Sequence, residues 1–139
     1  MKTDTVHDFF NWLINELLEG PLDWLGDVFI YPYSLFILGE IRVESCPKDT
    51  MEYMLTRRAD AHAIGIATGF ARVLEIGDLR NGRFPVKVQY VFLDKTKAQI
   101  ATNTARYLCL LDEGDRIRIE SVDLTKISIP FRNSTILAT

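Results

Sequence analysis

The most reactive residue types are few in this sequence, and they do not stand at the spacings of known catalytic or metal-binding motifs. Two histidines and two cysteines occur among 139 residues. Neither Cys46 nor Cys109 belongs to a CxxC pair or to a Cys/His pattern typical of zinc. GxSxG, HExxH, P-loop and dinucleotide-binding motifs are also missing from the sequence. We therefore expect no metal and no cofactor.

Three residues are candidates for proton-transfer chemistry: Asp123, Tyr31 and His62. A carboxylate can serve as a general base, and a tyrosine or histidine can assist it by holding or donating a proton. A lone histidine near a helix end is, however, more often a surface or capping group. The enzyme hypothesis therefore requires Asp123 to lie in a pocket with Tyr31 or His62 within reach.

The first half of the chain predicts three helices and a strand pair. Apolar residues recur every three or four positions from Thr5 to Glu19, with a capping box at Thr5 and Asp8 and a stop at Gly20-Pro21. Pro21 favours the start of a short helix that ends near Gly26. A strand pair follows, in which Ile41 and Val43 alternate with charged residues as in a half-buried strand, and a third helix extends from Pro47 to about Ala63.

From Ile66 onward the pattern changes to the period of two that is typical of strands. Asn81-Gly82 predicts a tight hairpin turn between the first two of four long antiparallel strands. The last two strands lie between Gln99 and Pro130. Regular alternation would place six residues on one face of the final strand: Ile117, Ile119, Ser121, Asp123, Thr125 and Ile127.

Length and composition are those of one soluble domain. We predict a single domain over residues 1–139, with a core at about 5–130 and a peripheral tail at 131–139. The net charge is −3, and no basic cluster is larger than Arg57-Arg58, so we expect no nucleic-acid partner. The sequence shows no signal peptide and no apolar run long enough to span a bilayer, which predicts a cytoplasmic protein without membrane contact.

Two stretches resemble the nuclear transport factor 2-like superfamily, which includes SnoaL-like cyclases and ketosteroid isomerase. They are FFNWLINELLEGPLDWLGDVFIYP in the first helices and YLCLLDEGDRIRIESVDL in the last strands. The resemblance covers roughly Thr5 to Pro130. It implies an α+β fold, a cystatin-like roll in which a cone-shaped, curved and mostly antiparallel sheet packs on three helices from the N-terminal half.

The resemblance also implies a pocket in the cone and, as in many relatives, a homodimer formed through the outer face of the sheet. The pocket would be lined by the first helix, the segment near Tyr31, and the inward faces of the last strands. Aromatic and neutral residues are concentrated in these places, and we expect the lining to include Trp12, Tyr31, Tyr33, Tyr90, Asn103 and Tyr107.

The catalytic residues of the isomerase-like relatives are not reproduced. Tyr31 stands where the catalytic aspartate precedes a proline, and a phenol is a weaker base than a carboxylate by about six pKa units. Leu13 and Tyr107 fall near the positions expected for the proton donors. We therefore favour a non-catalytic module that binds a small apolar ligand. The alternative is a lyase, isomerase or cyclase of SnoaL-like type that uses Asp123 with Tyr31 or His62.

Overall fold

The computed structural model describes residues 3–131, and its helices and strands follow one another in the predicted order. They are α1 (Thr3–Glu19), α2 (Leu25–Val28), β1 (Phe29–Ile37), β2 (Glu40–Glu44), α3 (Pro47–Ala63), β3 (Thr68–Ile76), β4 (Arg83–Leu93), β5 (Gln99–Leu111) and β6 (Ile117–Ile127). The predicted α+β class is confirmed. Of the predicted tail, residues 132–139 lie outside the described part, whereas Phe131 packs beneath the Arg57 guanidinium at 3.8 Å.

The six strands form one sheet in the order β2-β1-β6-β5-β4-β3. Neighbouring strands are antiparallel except for β1 and β6, which are parallel. This parallel pairing joins the first hairpin to the four-stranded meander, so that residues far apart in sequence share one continuous surface. We call the side of the sheet that faces the helices the inner face, and the opposite side the outer face.

The helix α1 packs its apolar stripe on the inner face. Its buried residues follow helical spacing: Val6, Phe10, Leu13, Ile14 and Leu18. The ring of Phe10 lies 4.8 Å from that of Tyr107 on β5. The predicted capping box is wrong because α1 already begins at Thr3, and α2 begins at Leu25 rather than at Pro21. None of the helices in the described residues is long and apolar enough to cross a membrane.

The predicted hairpin turn at Asn81-Gly82 is confirmed. Both residues have positive φ, 54° and 77°, as a two-residue turn between twisted strands requires. The flanking Arg80 and Arg83 exchange backbone hydrogen bonds of 2.8 and 3.0 Å. An asparagine followed by a glycine tolerates this conformation at little cost, which is why the sequence signal was reliable here.

The apolar side chains of β2 face outward, although its alternating pattern suggests that they face the core. Ile41 and Val43 are 54% and 56% exposed on the outer face, while Glu44 is 1% exposed on the inner face, opposite Tyr33. The inward Glu44 is paired with Arg42, whose Nε lies 3.3 Å from the Glu44 Oε1. Inward-pointing charges are one way in which proteins keep an edge strand from pairing with other chains.

Irregular pairing also changes the faces of β6. The register between β5 and β6 shifts between Leu108 and Cys109, so that Ile119 pairs with Cys109 whereas Ser121 pairs with Leu108. Beyond that shift Val122 faces inward and Asp123 faces outward, opposite Arg106. The prediction that six alternate residues of β6 share one face is therefore wrong, because a bulge adds a residue and inverts the alternation.

The edge of β3 is covered by a side chain of α1. The Asn11 Oδ1 accepts a hydrogen bond of 2.9 Å from the Ala71 backbone N–H, and the Asn11 Nδ2 donates to the Ala71 carbonyl at 3.3 Å. The amide group thus pairs with both main-chain groups of an edge residue, as a neighbouring strand would. This contact ties the first helix to the last strand of the sheet order.

We predict that Asn11→Ala lowers the free energy of unfolding by about 1–3 kcal/mol, because the buried Ala71 N–H and carbonyl lose their partners. Chemical denaturation followed by circular dichroism measures the change. Asn15→Ala is the matched control, since the Asn15 side chain bonds to the Asn11 carbonyl within its own helix. Equal effects of the two substitutions would contradict the role of Asn11 at the strand edge.

Candidate functional site: a tyrosine-lined cavity

A cavity of about 110 Å³ lies between α1, α3 and the inner face of the sheet. A buried site needs about 10–15 Å³ to hold one water, so this space is several times larger than a single water requires. The wall is mostly apolar and aromatic. Its members are Leu13, Ile14, Leu17, Leu18, Phe29, Tyr33, Leu35, Tyr53, Met54, Arg57, Arg58, Ala61, Tyr90, Phe92, Asn103, Tyr107, Val122, Leu124, Ile127 and Ile129.

The periodicity of each element explains which residues reach the cavity. The α1 and α3 contributions are spaced three or four residues apart, on one face of each helix. On β4 and β5, alternate residues reach it, as with Tyr90 and Phe92. On β6, Val122 and Leu124 reach the cavity because the bulge turns their side chains to the inner face and that of Asp123 to the outer face.

Two tyrosine hydroxyls on the wall have no hydrogen-bond partner within the described residues. They belong to Tyr33 of β1 and Tyr53 of α3, which are 1% and 5% exposed. Burial raises the pKa of both phenols, and the nearby Glu44 carboxylate raises the pKa of Tyr33 further. Both groups therefore remain protonated at neutral pH and able to donate. A buried hydroxyl without a partner costs about 1–3 kcal/mol, which makes two of them on one cavity unusual.

A second pair of tyrosines on the wall is satisfied internally. The hydroxyls of Tyr90 and Tyr107 are hydrogen-bonded to each other at 2.5 Å, and both residues are buried. Desolvation raises the pKa of both phenols. Because Tyr90 lies on β4 and Tyr107 on β5, the bond also joins the side chains of two neighbouring strands.

Two arginines of α3 line the cavity, and their guanidinium groups bond to backbone carbonyls. Arg58 donates to three carbonyls at the end of α1, those of Leu17, Glu16 and Gly20. Arg57 donates to the carbonyls of Ile129 and Pro130 and pairs with Asp60 at 2.8 Å. These contacts fix α1 and the segment after β6 against α3.

The buried acid nearest to the unpartnered tyrosines is Glu44, on the inner side of β2. Its cross-strand partner is Tyr33, and the guanidinium of Arg42 lies over the Tyr53 ring, 4.9 Å from the centroid. The Arg42–Glu44 ion pair therefore connects the two tyrosines. Desolvation raises the pKa of the Glu44 carboxyl, and this exceeds the opposing effect of Arg42.

Four of the six residues expected to line a pocket lie on the cavity wall: Tyr33, Tyr90, Asn103 and Tyr107. The other two lie elsewhere. Trp12 is 39% exposed and packs 4.8 Å from the ring of Trp24, on a face of α1 that does not line the cavity. Tyr31 donates its hydroxyl proton to the Thr50 Oγ1 at 2.7 Å instead of pointing into the cavity.

The three candidate catalytic residues do not meet at the cavity. Asp123 is on the outer face beside Arg106, because of the shift in β6. His62 is exposed near the end of α3, and Tyr31 is held by Thr50. None of the three lines the cavity. Across residues 3–131, no group of three or more His, Cys, Asp or Glu side chains is arranged to hold a metal ion.

Sequence reasoning missed Tyr53 and Glu44. Tyr53 lies on the buried side of α3 with Thr50, three positions before it, and a polar Thr50 gives no sequence signal for that side. Glu44 carries no such signal, since a charged residue in an alternating strand is normally read as exposed.

The fold is shared with solved structures of low sequence identity. A protein of unknown function from Shewanella oneidensis, described as nuclear transport factor 2-like, superposes with a TM-score of 0.66 at 18% identity, covering 89% of this chain and 98% of that one. Aln2 from a Streptomyces species gives a TM-score of 0.65 at 11% identity, covering 91% and 93%. This chain has the nuclear transport factor 2-like fold.

A third similar structure is described as having a cystatin-like fold. It is a domain of unknown function from Nostoc punctiforme, with a TM-score of 0.65 at 10% identity, covering 91% of this chain and 79% of that one. No protein-family model matches the sequence, and no curated protein matches it either. The expected nuclear transport factor 2-like fold is therefore confirmed at the level of structure.

We predict opposite effects for two tyrosine-to-phenylalanine substitutions on the cavity wall. Tyr107→Phe leaves the buried Tyr90 hydroxyl without its partner and should lower the free energy of unfolding by about 1–3 kcal/mol. Tyr33→Phe removes a hydroxyl that has no partner and should leave stability unchanged or raise it. Urea denaturation of both variants measures the difference. A comparable loss in both would show that Tyr33 is hydrogen-bonded in the free protein.

The buried Glu44 should make stability depend on pH in a defined direction. Because its pKa is raised in the folded state, its contribution is fully present below the ordinary glutamate pKa and is lost as the pH rises through the raised value. As the pH rises from the ordinary glutamate pKa to the raised value, the free energy of unfolding of the native protein should therefore fall relative to that of Glu44→Gln. Denaturation of both proteins from acid to neutral pH tests this, and a constant difference would contradict it.

Proposed function

We propose that this protein binds a small, largely apolar molecule in the cavity between α1, α3 and the sheet. The observation that supports this most directly is the cavity itself, whose wall of aliphatic and aromatic side chains leaves about 110 Å³ open. Concave, mostly apolar sites with a few polar groups are typical of ligand pockets.

Binding without catalysis is the version that the residues support. The lyase, isomerase or cyclase alternative needed Asp123 inside the cone, with Tyr31 or His62 within reach. Asp123 lies on the outer face, the Tyr31 hydroxyl bonds to Thr50, and His62 is exposed. A general base has to come within hydrogen-bond distance of the proton that it removes, and the separate positions of these three residues support binding over catalysis.

We predict that indole raises the midpoint of thermal unfolding in a concentration-dependent way, since a ligand that binds only the folded state stabilises it. Ala61→Leu should weaken this binding at least tenfold, because Ala61 is buried on the cavity wall and the larger side chain occupies the space. Isothermal titration calorimetry measures the affinity directly.

Ala63→Leu is the control for this experiment, since it makes the same change on an exposed face of α3. Its affinity for indole should match that of the native protein. Equal weakening by the two substitutions would place the ligand outside the cavity. No binding of indole or of similar one- and two-ring compounds by the native protein would contradict the proposed function.

The outer face supports a second proposal, that a second copy of the chain covers it to form a homodimer. Three exposed apolar side chains lie together there, because Phe36 and Ile41 are cross-strand partners and Val43 follows on the same face. The same face carries both signs of charge, with Asp123 opposite Arg106. A surface with apolar residues and both charges can be complementary to itself, as a two-fold interface requires.

Sedimentation velocity over a range of protein concentrations tests the dimer. We expect dissociation to increase in the double variant Ile41→Lys, Val43→Lys, because it places four lysines in a two-fold contact. Leu79→Lys is the control, since Leu79 is also an exposed apolar residue but lies outside the β1–β2 hairpin. A native protein that stays monomeric at all concentrations would refute this proposal.

A further inference from the structure

Trp12 and Trp24 form an aromatic pair outside the cavity. Their ring centroids lie 4.8 Å apart, and neither residue lines the cavity wall. Trp12 is 39% exposed on the solvent side of α1, Trp24 is half-buried, and the ring of Phe9 packs 6.0 Å from that of Trp12. We call the solvent side of α1 together with residues 20–28 the tryptophan surface. The proposed ligand binding does not use this surface.

The tryptophan surface is strongly acidic. Residues 3–28 contain no lysine or arginine and six acidic residues: Asp4, Asp8, Glu16, Glu19, Asp23 and Asp27. All except the half-buried Glu16 are exposed, and none of the six forms an ion pair with a side chain of residues 3–131. Because the net charge of the whole chain is −3, the rest of the chain is net positive. Negative charge is therefore concentrated on this surface.

The acidic residues accompany both tryptophans along the chain. Asp8 precedes Trp12 by four residues on α1, which places the two side chains on neighbouring turns of the same helix face. Asp23 directly precedes Trp24, and Asp27 lies in α2. Each indole ring is thus combined with exposed carboxylates.

Two arginines reach this part of the molecule from neighbouring elements, and both donate to main-chain oxygens. Arg118 of β6 donates to three carbonyls between residues 26 and 29, and Arg58 of α3 donates to three carbonyls at the end of α1. The cation–π contacts within residues 3–131 involve other aromatic rings. The described part of the chain therefore places no cation over either tryptophan.

The stability of α1 does not account for all of its acidic residues. Asp4 in the first turn interacts favourably with the helix dipole. Glu16 and Glu19 lie in the last turn, where the dipole favours positive charge, and that turn contains no basic residue. Arg58 offsets part of this unfavourable interaction from outside the helix. A positively charged partner would offset more of it.

We propose that the tryptophan surface is a docking site for an arginine-containing segment of a partner protein. A guanidinium group can lie flat on an indole ring while its N–H groups bond to carboxylates, and this surface offers both contacts. The same negative charge repels nucleic acids and anionic lipid surfaces. Because the surface lies outside the cavity, the proposal is independent of ligand binding there.

Three peptides of equal length test the chemistry of the partner: acetyl-RGRGRG-amide, acetyl-KGKGKG-amide and acetyl-EGEGEG-amide. Each is titrated into the ¹⁵N-labelled protein, whose two tryptophans give two indole N–H signals that Trp12→Phe assigns. We expect the arginine peptide to shift the Trp12 signal and to bind about threefold more tightly than the lysine peptide, because guanidinium stacks better on indole. Added salt should weaken this binding, and the glutamate peptide should not bind.

Substitutions assign the binding to named residues. Trp12→Ala should weaken binding of the arginine peptide about threefold, and Trp12→Phe should weaken it less because an aromatic ring remains. The double variant Asp8→Asn, Asp23→Asn should also weaken it about threefold. Glu113→Gln, Asp115→Asn is the matched control, since it removes the same charge from the exposed β5–β6 turn and should bind as the native protein does. The unfolding midpoint of each variant verifies that it is folded.

Several results would overturn the proposal. They are failure of the arginine peptide to bind, equal affinity of this peptide for the native protein and Trp12→Ala, and equal weakening by the two double substitutions. Equal binding of the lysine and arginine peptides would exclude guanidinium stacking. If phosphatidylglycerol vesicles shift the Trp12 signal, the surface binds lipid instead. If that signal shifts with protein concentration alone, the occupant is a second copy of the chain.

Discussion

The cavity depends on two adjacent arginines of α3 that bond to the backbone at two distant places. Arg58 satisfies three carbonyls at the end of α1, and Arg57 satisfies two in the segment that follows β6. The last carbonyls of a helix have no partner within it, and a planar guanidinium can bond to several of them at once. The wall residues Leu17 and Ile129 are held in place by these backbone contacts, so that the cavity stays open while its boundary is fixed.

This use of the arginines decides the polarity of the site. Their charges line the cavity, and five of their hydrogen bonds go to main-chain oxygens. Four tyrosines share the wall in two groups: Tyr90 and Tyr107 bond to each other, and Tyr33 and Tyr53 do not. One pair joins the side chains of β4 and β5, and the other has two buried hydroxyls without a partner in the described residues. The two pairs of tyrosines therefore differ in whether the hydroxyl has a hydrogen-bond partner.

The order of helices and strands could be predicted from the sequence because it rests on local signals. Local preferences of the residues explain three of these signals: the apolar stripe of α1, the proline at the start of α3, and the turn at Asn81-Gly82. Tyr107 and Asn103 lie on the cavity wall, where the family resemblance placed them.

The errors arose where tertiary contacts outweigh the local pattern. In β2 the apolar residues face outward, and Glu44 forms an ion pair with Arg42 on the inner face. The sequence of a five-residue strand does not predict this ion pair. In β6 a bulge places Asp123 on the outer face, whereas the enzyme alternative required it to lie in the pocket. The extra residue inverts the faces that follow it, so Val122 and Leu124 reach the cavity, and a second shift opposite Thr104 and Ala105 brings Ile127 back to the same wall.

The contact between Asn11 and Ala71 has a consequence for the behaviour of the sheet in a crowded solution. The outermost strands of an open sheet present unpaired main-chain groups on which another polypeptide can be added, and such addition is an early step in aggregation. At β3 the Asn11 amide already occupies both groups of Ala71, so an incoming strand meets a donor and an acceptor that are taken. A single side chain on a helix thus blocks strand addition at Ala71 in the middle of this edge, while β2 at the opposite edge carries the inward Arg42 and Glu44 charges.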